Sequence, residues 1–190
     1  MAQTQPYTMD RFIGDVQEIM ASGEERGRII DQVEPLLKRL MEADDLLNQG
    51  RRIDLEDGRH RYEFFQSEDE SLTITGPAFL PGHPTPVHDH LAWGVIGVYS
   101  GRQRTMRYRR RDDGSLPGSA DLEVVQDEVL ARGATYPLLP PDDIHRIEAL
   151  GDEPGISIHV LGTDLRHQKR HVFHPETGTV EDWEGGSMMR

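Results

Sequence analysis

TPVHDHLAWGVIGVYSG, residues 85–101, is the stretch on which the reading of this chain turns. Its first half carries His88 and His90. In a β-strand, residues two apart point to one side, so these two imidazoles can meet at one point while Val87 and Asp89 face away. Its second half, 94–100, is rich in Val, Ile and Tyr and reads as a further strand. The same texture continues outward in both directions. Short runs of Val, Ile, Thr, Tyr and Phe alternate with turn signals at Pro81-Gly82, Asp113-Gly114, Pro117-Gly118 and Pro140-Pro141. Strands are expected near 60–66, 72–79, 86–90, 94–100, 103–110, 121–126, 134–138, 144–149, 155–161 and 169–174. That spacing implies an all-β sandwich or barrel, because closing a sheet removes its exposed edges.

The first 50 residues read differently. Met9, Phe12, Ile13, Val16, Ile19 and Met20 recur three and four apart, as do Ile29, Ile30, Val33, Leu36, Leu37 and Leu40, which is the period of two amphipathic helices. Ser22 with Glu25 three residues later has the capping-box pattern and puts a break between them. The expected organisation is a helical extension over 1–50, a β-barrel over 51–175, and a polar, Gly-rich tail over 176–190 that is mobile at its end.

Composition narrows the function. The 190 residues suffice for one domain with a sizeable core. Lys+Arg 21 against Asp+Glu 34 gives a net charge of −13, a surface that repels phosphate backbones, so no nucleic-acid partner is expected. No run approaches the roughly 20 apolar residues of a membrane helix, and the N-terminus lacks the pattern of a signal peptide. A cytoplasmic protein with no membrane partner is the expectation. With no cysteine, disulfides, thiolate ligands, Fe–S clusters and a cysteine nucleophile are all excluded. A metal would be held by His, Asp or Glu.

Gly82, five residues, His88, one residue, His90 and then Gly101 resemble the first motif of the cupin superfamily. Gly94 stands where that motif has its glutamate ligand. Pro140 and His145 resemble the second motif, with Asp142 and Ala149 replacing its usual glycine and asparagine. The resemblance implies a double-stranded β-helix, a jelly-roll-like barrel, with His88, His90 and His145 as three metal ligands. More closely, residues 85–101 with DDIHRIE (142–148) and GISIHVLG (155–162) are similar to the cysteine dioxygenase family, including its 3-mercaptopropionate-using bacterial members; the likeness runs from Arg59 to Phe173. It implies Fe(II) and the conversion of a small carboxylated thiol, of the 3-mercaptopropionate or cysteine type, to its sulfinic acid with dioxygen. Three neutral imidazoles would leave the iron its full charge and open positions for thiolate and oxygen.

The family places Ser, His and Tyr on one strand face as a relay toward the iron. Ser157 and His159 match as catalytic residues; Leu161 replaces the tyrosine and has no hydrogen bond to give. Another hydroxyl, such as that of Tyr108 or Tyr136, is the candidate substitute. Arg170, eleven residues after His159, and Arg61 correspond to the two family positions that hold a substrate carboxylate, since an arginine fork binds one through two parallel hydrogen bonds. A one-residue slip of register would turn His60 inward instead of Arg61. Trp93 is expected as pocket wall. The arginines between 102 and 111 read as a solvated hairpin answering nearby acids, His83 as a loop residue, and His167, His171 and His174 as surface residues. The missing cysteine rules out the Cys–Tyr crosslink of some animal-type members. Two alternatives stay open: a three-histidine cupin of another reaction type, such as a carbon–carbon-cleaving dioxygenase, and a non-catalytic cupin that binds a metal or small ligand. Zinc would accept the same ligands. A monomer or small homo-oligomer is expected.

Overall fold

The computed structural model describes residues 7–55 and 58–184. It begins with helices α1 (Met9–Ala21) and α2 (Arg26–Leu40) and a 3-10 turn, Leu46–Gln49. Twelve strands follow among the described residues: β1 (Arg51–Asp54), β2 (His60–Gln66), β3 (Thr73–Phe79), β4 (Val87–His88), β5 (Gly94–Ser100), β6 (Arg102–Arg110), β7 (Leu122–Ala131), β8 (Thr135–Leu138), β9 (Ile144–Leu150), β10 (Gly155–Leu161), β11 (Lys169–His174) and β12 (Thr179–Glu184). They form two six-stranded sheets, ordered β1-β2-β3-β10-β5-β8 and β12-β11-β4-β9-β6-β7. The four inner-to-edge strands β3-β10-β5-β8 and β4-β9-β6-β7 have the order of two interleaved Greek keys, which makes the body a jelly roll. The fold is thus the expected all-β cupin barrel preceded by helices.

The helices cover the outer face of the first sheet. Phe12, Val16, Val33, Leu37 and Leu40 are fully buried and pack with Val95, Ile158 and Val160, the outward residues of β5 and β10. Gly97 allows this approach: a Cβ there would stand 2.5 Å from the Met41 sulfur. Two polar ties add direction, from the Tyr99 hydroxyl to the Ala43 carbonyl at 2.9 Å and from Thr135 Oγ1 to Glu34 at 2.6 Å.

Three local expectations are corrected. Ser22 does not cap the second helix; it ends the first, its hydroxyl donating to the Ile19 carbonyl at 2.6 Å, and Glu25 takes the N-cap place without a side-chain bond. The break falls where expected because Gly23, at φ 75°, turns the chain there. β1 is an additional strand, exposed and therefore without apolar alternation. The stretch expected as a polar tail holds β12, which pairs with β11 from His174↔Thr179 to Lys169↔Glu184; the tail's end, 185–190, lies outside the described residues. No helix among the described residues is long and apolar enough to cross a membrane.

Candidate metal centre

His88 ends β4 and faces His145 of β9 directly in register. His90 follows two residues later, and the three side chains are buried. The Nε2 atoms of His88 and His90 lie 3.2 and 3.0 Å from that of His145. Two nitrogen ligands at about 2.0–2.1 Å from one ion stand about 2.8–3.4 Å apart at octahedral or tetrahedral angles, so the spacing already fits a shared metal. Val87 and Asp89 face the other way, as strand alternation requires. Val87 packs with Tyr108, Ile144 and Phe173, and the buried Asp89 carboxylate accepts from the His171 backbone N–H and from its Nδ1, at 2.8 and 2.6 Å.

After His90 the chain turns through Leu91, a non-glycine residue at φ 54°. Asp143 holds this strained turn by accepting from the backbone N–H groups of His90 and Leu91, at 2.9 and 2.7 Å. Burial raises the Asp143 carboxyl above the usual range, opposed by these two N–H donors. Two residues before His145 in sequence, Asp143 thus ties the segment that carries His88 and His90 to the β9 ligand.

The rings are prepared to coordinate. His88 Nδ1 sits 2.9 Å from the Pro86 carbonyl, which fixes the proton on Nδ1 and bares Nε2. Burial pulls His88 down to about 4, against the Pro86 carbonyl, which raises it. Burial, followed by the charge of His88, holds His90 and His145 well below the ordinary histidine value. All three are neutral near pH 7 with lone pairs available. Among the described residues no carboxylate joins the three, and position 94 has little room for one. A Cβ on Gly94 would meet Leu161 Cδ2 at 2.6 Å and the Val160 carbonyl at 3.0 Å. Leu161 therefore fills the space that a side chain at the cupin glutamate position would need.

His145 is supported from behind by Tyr136, whose hydroxyl lies 3.2 Å from Nδ1 and also bonds Thr105. Gln103 reaches Thr105 at 3.4 Å and accepts from the Ser157 hydroxyl at 2.6 Å. Every member of this chain is buried. Tyr136 is thus the hydroxyl that approaches the centre; the Tyr108 hydroxyl points to the Met106 sulfur instead. Ser157 gives its proton to Gln103 and not to His159, so the Ser–His relay implied by the resemblance is not formed here. His159 lies across the cavity, its ring 6.5 Å from that of His90 and 6.1 Å from the stacked Phe79. Its Nε2 is buried without a hydrogen bond, and burial pulls it down to about 3.

In front of the histidines opens a cavity of about 440 Å³, lined by His88, His90, His159 and Arg170 at its inner end. Arg170 is 3% exposed. Burial pulls it down to about 10, with Asp89 acting against, so it stays cationic at neutral pH. Arg61, not His60, lines the outer part of the cavity, where it donates to Glu63 at 2.8 Å. Trp93 does not line the cavity; it belongs to the helix-facing core and lies across Gly162, where a Cβ would run into its indole ring. The arginines of the β6 hairpin pair with Asp127, Asp142, Asp112 and Asp121. Asp143, Gln103 and Thr105 lie outside the sequence reading, since β6–β9 pairing and the contact of Tyr136 across the barrel bring Gln103 and Thr105 to the ligands, and the fold brings Asp143 to the turn after His90.

No protein-family model matches the chain. Among solved structures it is similar to the capsular polysaccharide assembling protein CapF of Staphylococcus aureus, with 20% identity over 70% of this chain and a TM-score of 0.46; the match spans 34% of CapF, about a third of its length. It is similar to a variant of Bacillus subtilis oxalate decarboxylase, with 17% identity, 62% of this chain, 28% of that one and a TM-score of 0.44. An RmlC-like cupin of Shewanella frigidimarina gives 21%, 62%, 86% and 0.43 in the same order. Strand order gives a jelly-roll barrel of the cupin type, and the three converging nitrogens of His88, His90 and His145 could hold a metal ion.

Proposed function

We propose that the protein is an iron(II)-dependent thiol dioxygenase acting on a carboxylated thiol. The observation that carries this reading is the buried, charged Arg170 beside two of the three histidines in one cavity wall. A cationic guanidinium at the inner end of a cavity attracts an anion, and its fork matches a carboxylate. Iron(II), if bound by His88, His90 and His145, would supply the charge that favours a thiolate and a redox centre through which the electrons of the sulfur reach dioxygen. The protein's part is binding and orientation. Arg170 takes the carboxylate and so fixes which end of the substrate enters. The neutral His159 offers hydrogen bonding without charge at the inner end. Tyr136 holds the His145 ring, and Leu161 and Phe79 keep water from the reacting atoms. In the overall reaction, R–SH and O2 combine to R–SO2H, and no further reductant is consumed.

Leu161 favours the second reading, a three-histidine cupin of another reaction type, because it removes the hydroxyl of the family relay. Oxygen uptake decides between them. Iron(II)-loaded, zinc-loaded and metal-free samples are compared on 3-mercaptopropionate, cysteine and cysteamine. Uptake only with iron, at one oxygen per thiol, and much weaker for cysteamine, which has no carboxylate, is the expected result. No uptake with any thiol transfers the assignment to the second reading or to a binding protein.

A further inference from the structure

The cavity is larger than a three-carbon thiol acid needs. Six heavy atoms, allowed a generous water-sized share of about 30 Å³ each, fill at most about 180 Å³ of the 440 Å³ present. Register shows where the excess lies. Thr75 is the partner of His159, and Glu63 is the partner of Thr75, so the Arg61–Glu63 ion pair stands two strands away from the His159 row, about 10 Å at the usual strand spacing. Between this outer end and the histidines the wall carries Thr73, Thr75 and Thr85 beside the apolar Phe65, Phe79, Ile147, Leu161 and Leu165. Phe79 and Leu161 are buried in the fold yet border the cavity. A short thiol spanning from the histidines to Arg170 would leave the half-buried Phe65 and Leu165 facing water, and displacing such water by an apolar group is favourable.

We infer that the substrate is a thiol acid bearing an apolar group of about phenyl size, seated against Phe65 and Leu165 while its carboxylate meets Arg170; this rests on the thiol reading given above. The test titrates iron(II)-loaded protein, without oxygen, with 3-mercaptopropionate, with 2-benzyl-3-mercaptopropionate and with the sulfur-free 2-methyl-3-phenylpropanoate, and reads Kd by calorimetry. The benzyl thiol should bind at least tenfold more tightly than either other compound, a difference of about 1.4 kcal/mol. In Leu165→Asp, a substitution at a half-buried loop position, the benzyl advantage should vanish while the affinity for 3-mercaptopropionate stays. Equal affinity for the two thiols overturns the inference and leaves the thiol reading standing. Equal affinity for the benzyl thiol and its sulfur-free analogue overturns the thiol reading and leaves the apolar seat. An advantage that survives Leu165→Asp places the seat elsewhere and overturns the inference.

Discussion

On β10, Ile158 and Val160 point to the helices and lie among Phe12, Val33 and Leu37, whereas Ser157, His159 and Leu161 point into the barrel. The outer face is dry and apolar, and its neighbours come from α1 and α2. The inner face is equally buried but polar, and its neighbours come from β3, β6 and the histidine strands. One strand therefore writes stability on one side and chemistry on the other, separated only by the period of two. Substitutions on the two faces should fail in different assays.

The widest separation is between His145→Ala and Leu37→Ala. The first should lower metal affinity by more than the 10- to 100-fold that loss of an outer partner costs, with the circular dichroism of the fold retained. The second should leave the metal affinity of the folded protein unchanged and cost about 2–5 kcal/mol in urea unfolding. A His145→Ala protein that still binds iron as the parent does would break the three-histidine assignment.

Acid should reveal the inner face next. The unfolded chain binds protons to histidine near pH 6.5, but burial holds His88 to about 4 and His159 to about 3 in the folded state. Between those values the unfolded state takes up protons that the folded state refuses, so stability is full above pH 6.5 and falls as pH drops toward 4. Each refused proton costs about 1.4 kcal/mol per pH unit. The urea midpoint of metal-free protein should therefore fall clearly from pH 7 to pH 5; a flat profile would mean the rings are solvated.

A smaller effect sharpens the steric account of the missing carboxylate. Gly94→Ala should cost about 1–3 kcal/mol by overpacking, read as a shift in urea midpoint, and Leu161→Ala in the same chain should recover part of it. Smallest in stability is Tyr136→Phe: it should weaken metal binding 10- to 100-fold while shifting unfolding by only about 1 kcal/mol. A metal affinity unchanged by that substitution would make the Tyr136–Thr105–Gln103 chain a packing device only.

The comparison also explains what could be read from sequence. His88 and His90 were legible because their spacing is local, and His145 because Pro140 precedes it at a recognisable distance. The helical face was legible from its 3.6-residue period. Tyr136 entered only as one of two candidates, and Gln103, Thr105 and Asp143 not at all, because their partners are set by register between strands far apart in the chain. Trp93, three residues past His90, read as pocket wall, but the chain has already turned at Leu91 and sends it to the helical side. β1 and β12 are outer strands with little apolar alternation. The size of the cavity depends on how far the first sheet extends beyond β10, which no single segment records.

The contact between Gly94 and Leu161 bears on how this barrel can change under mutation. A glutamate at position 94 would collide with Leu161, and a smaller residue at 161 alone would open a void beside Ile96, Tyr136 and Leu138. Each step taken singly carries a cost in packing, and a directed-evolution path that makes both changes in one clone offsets one against the other.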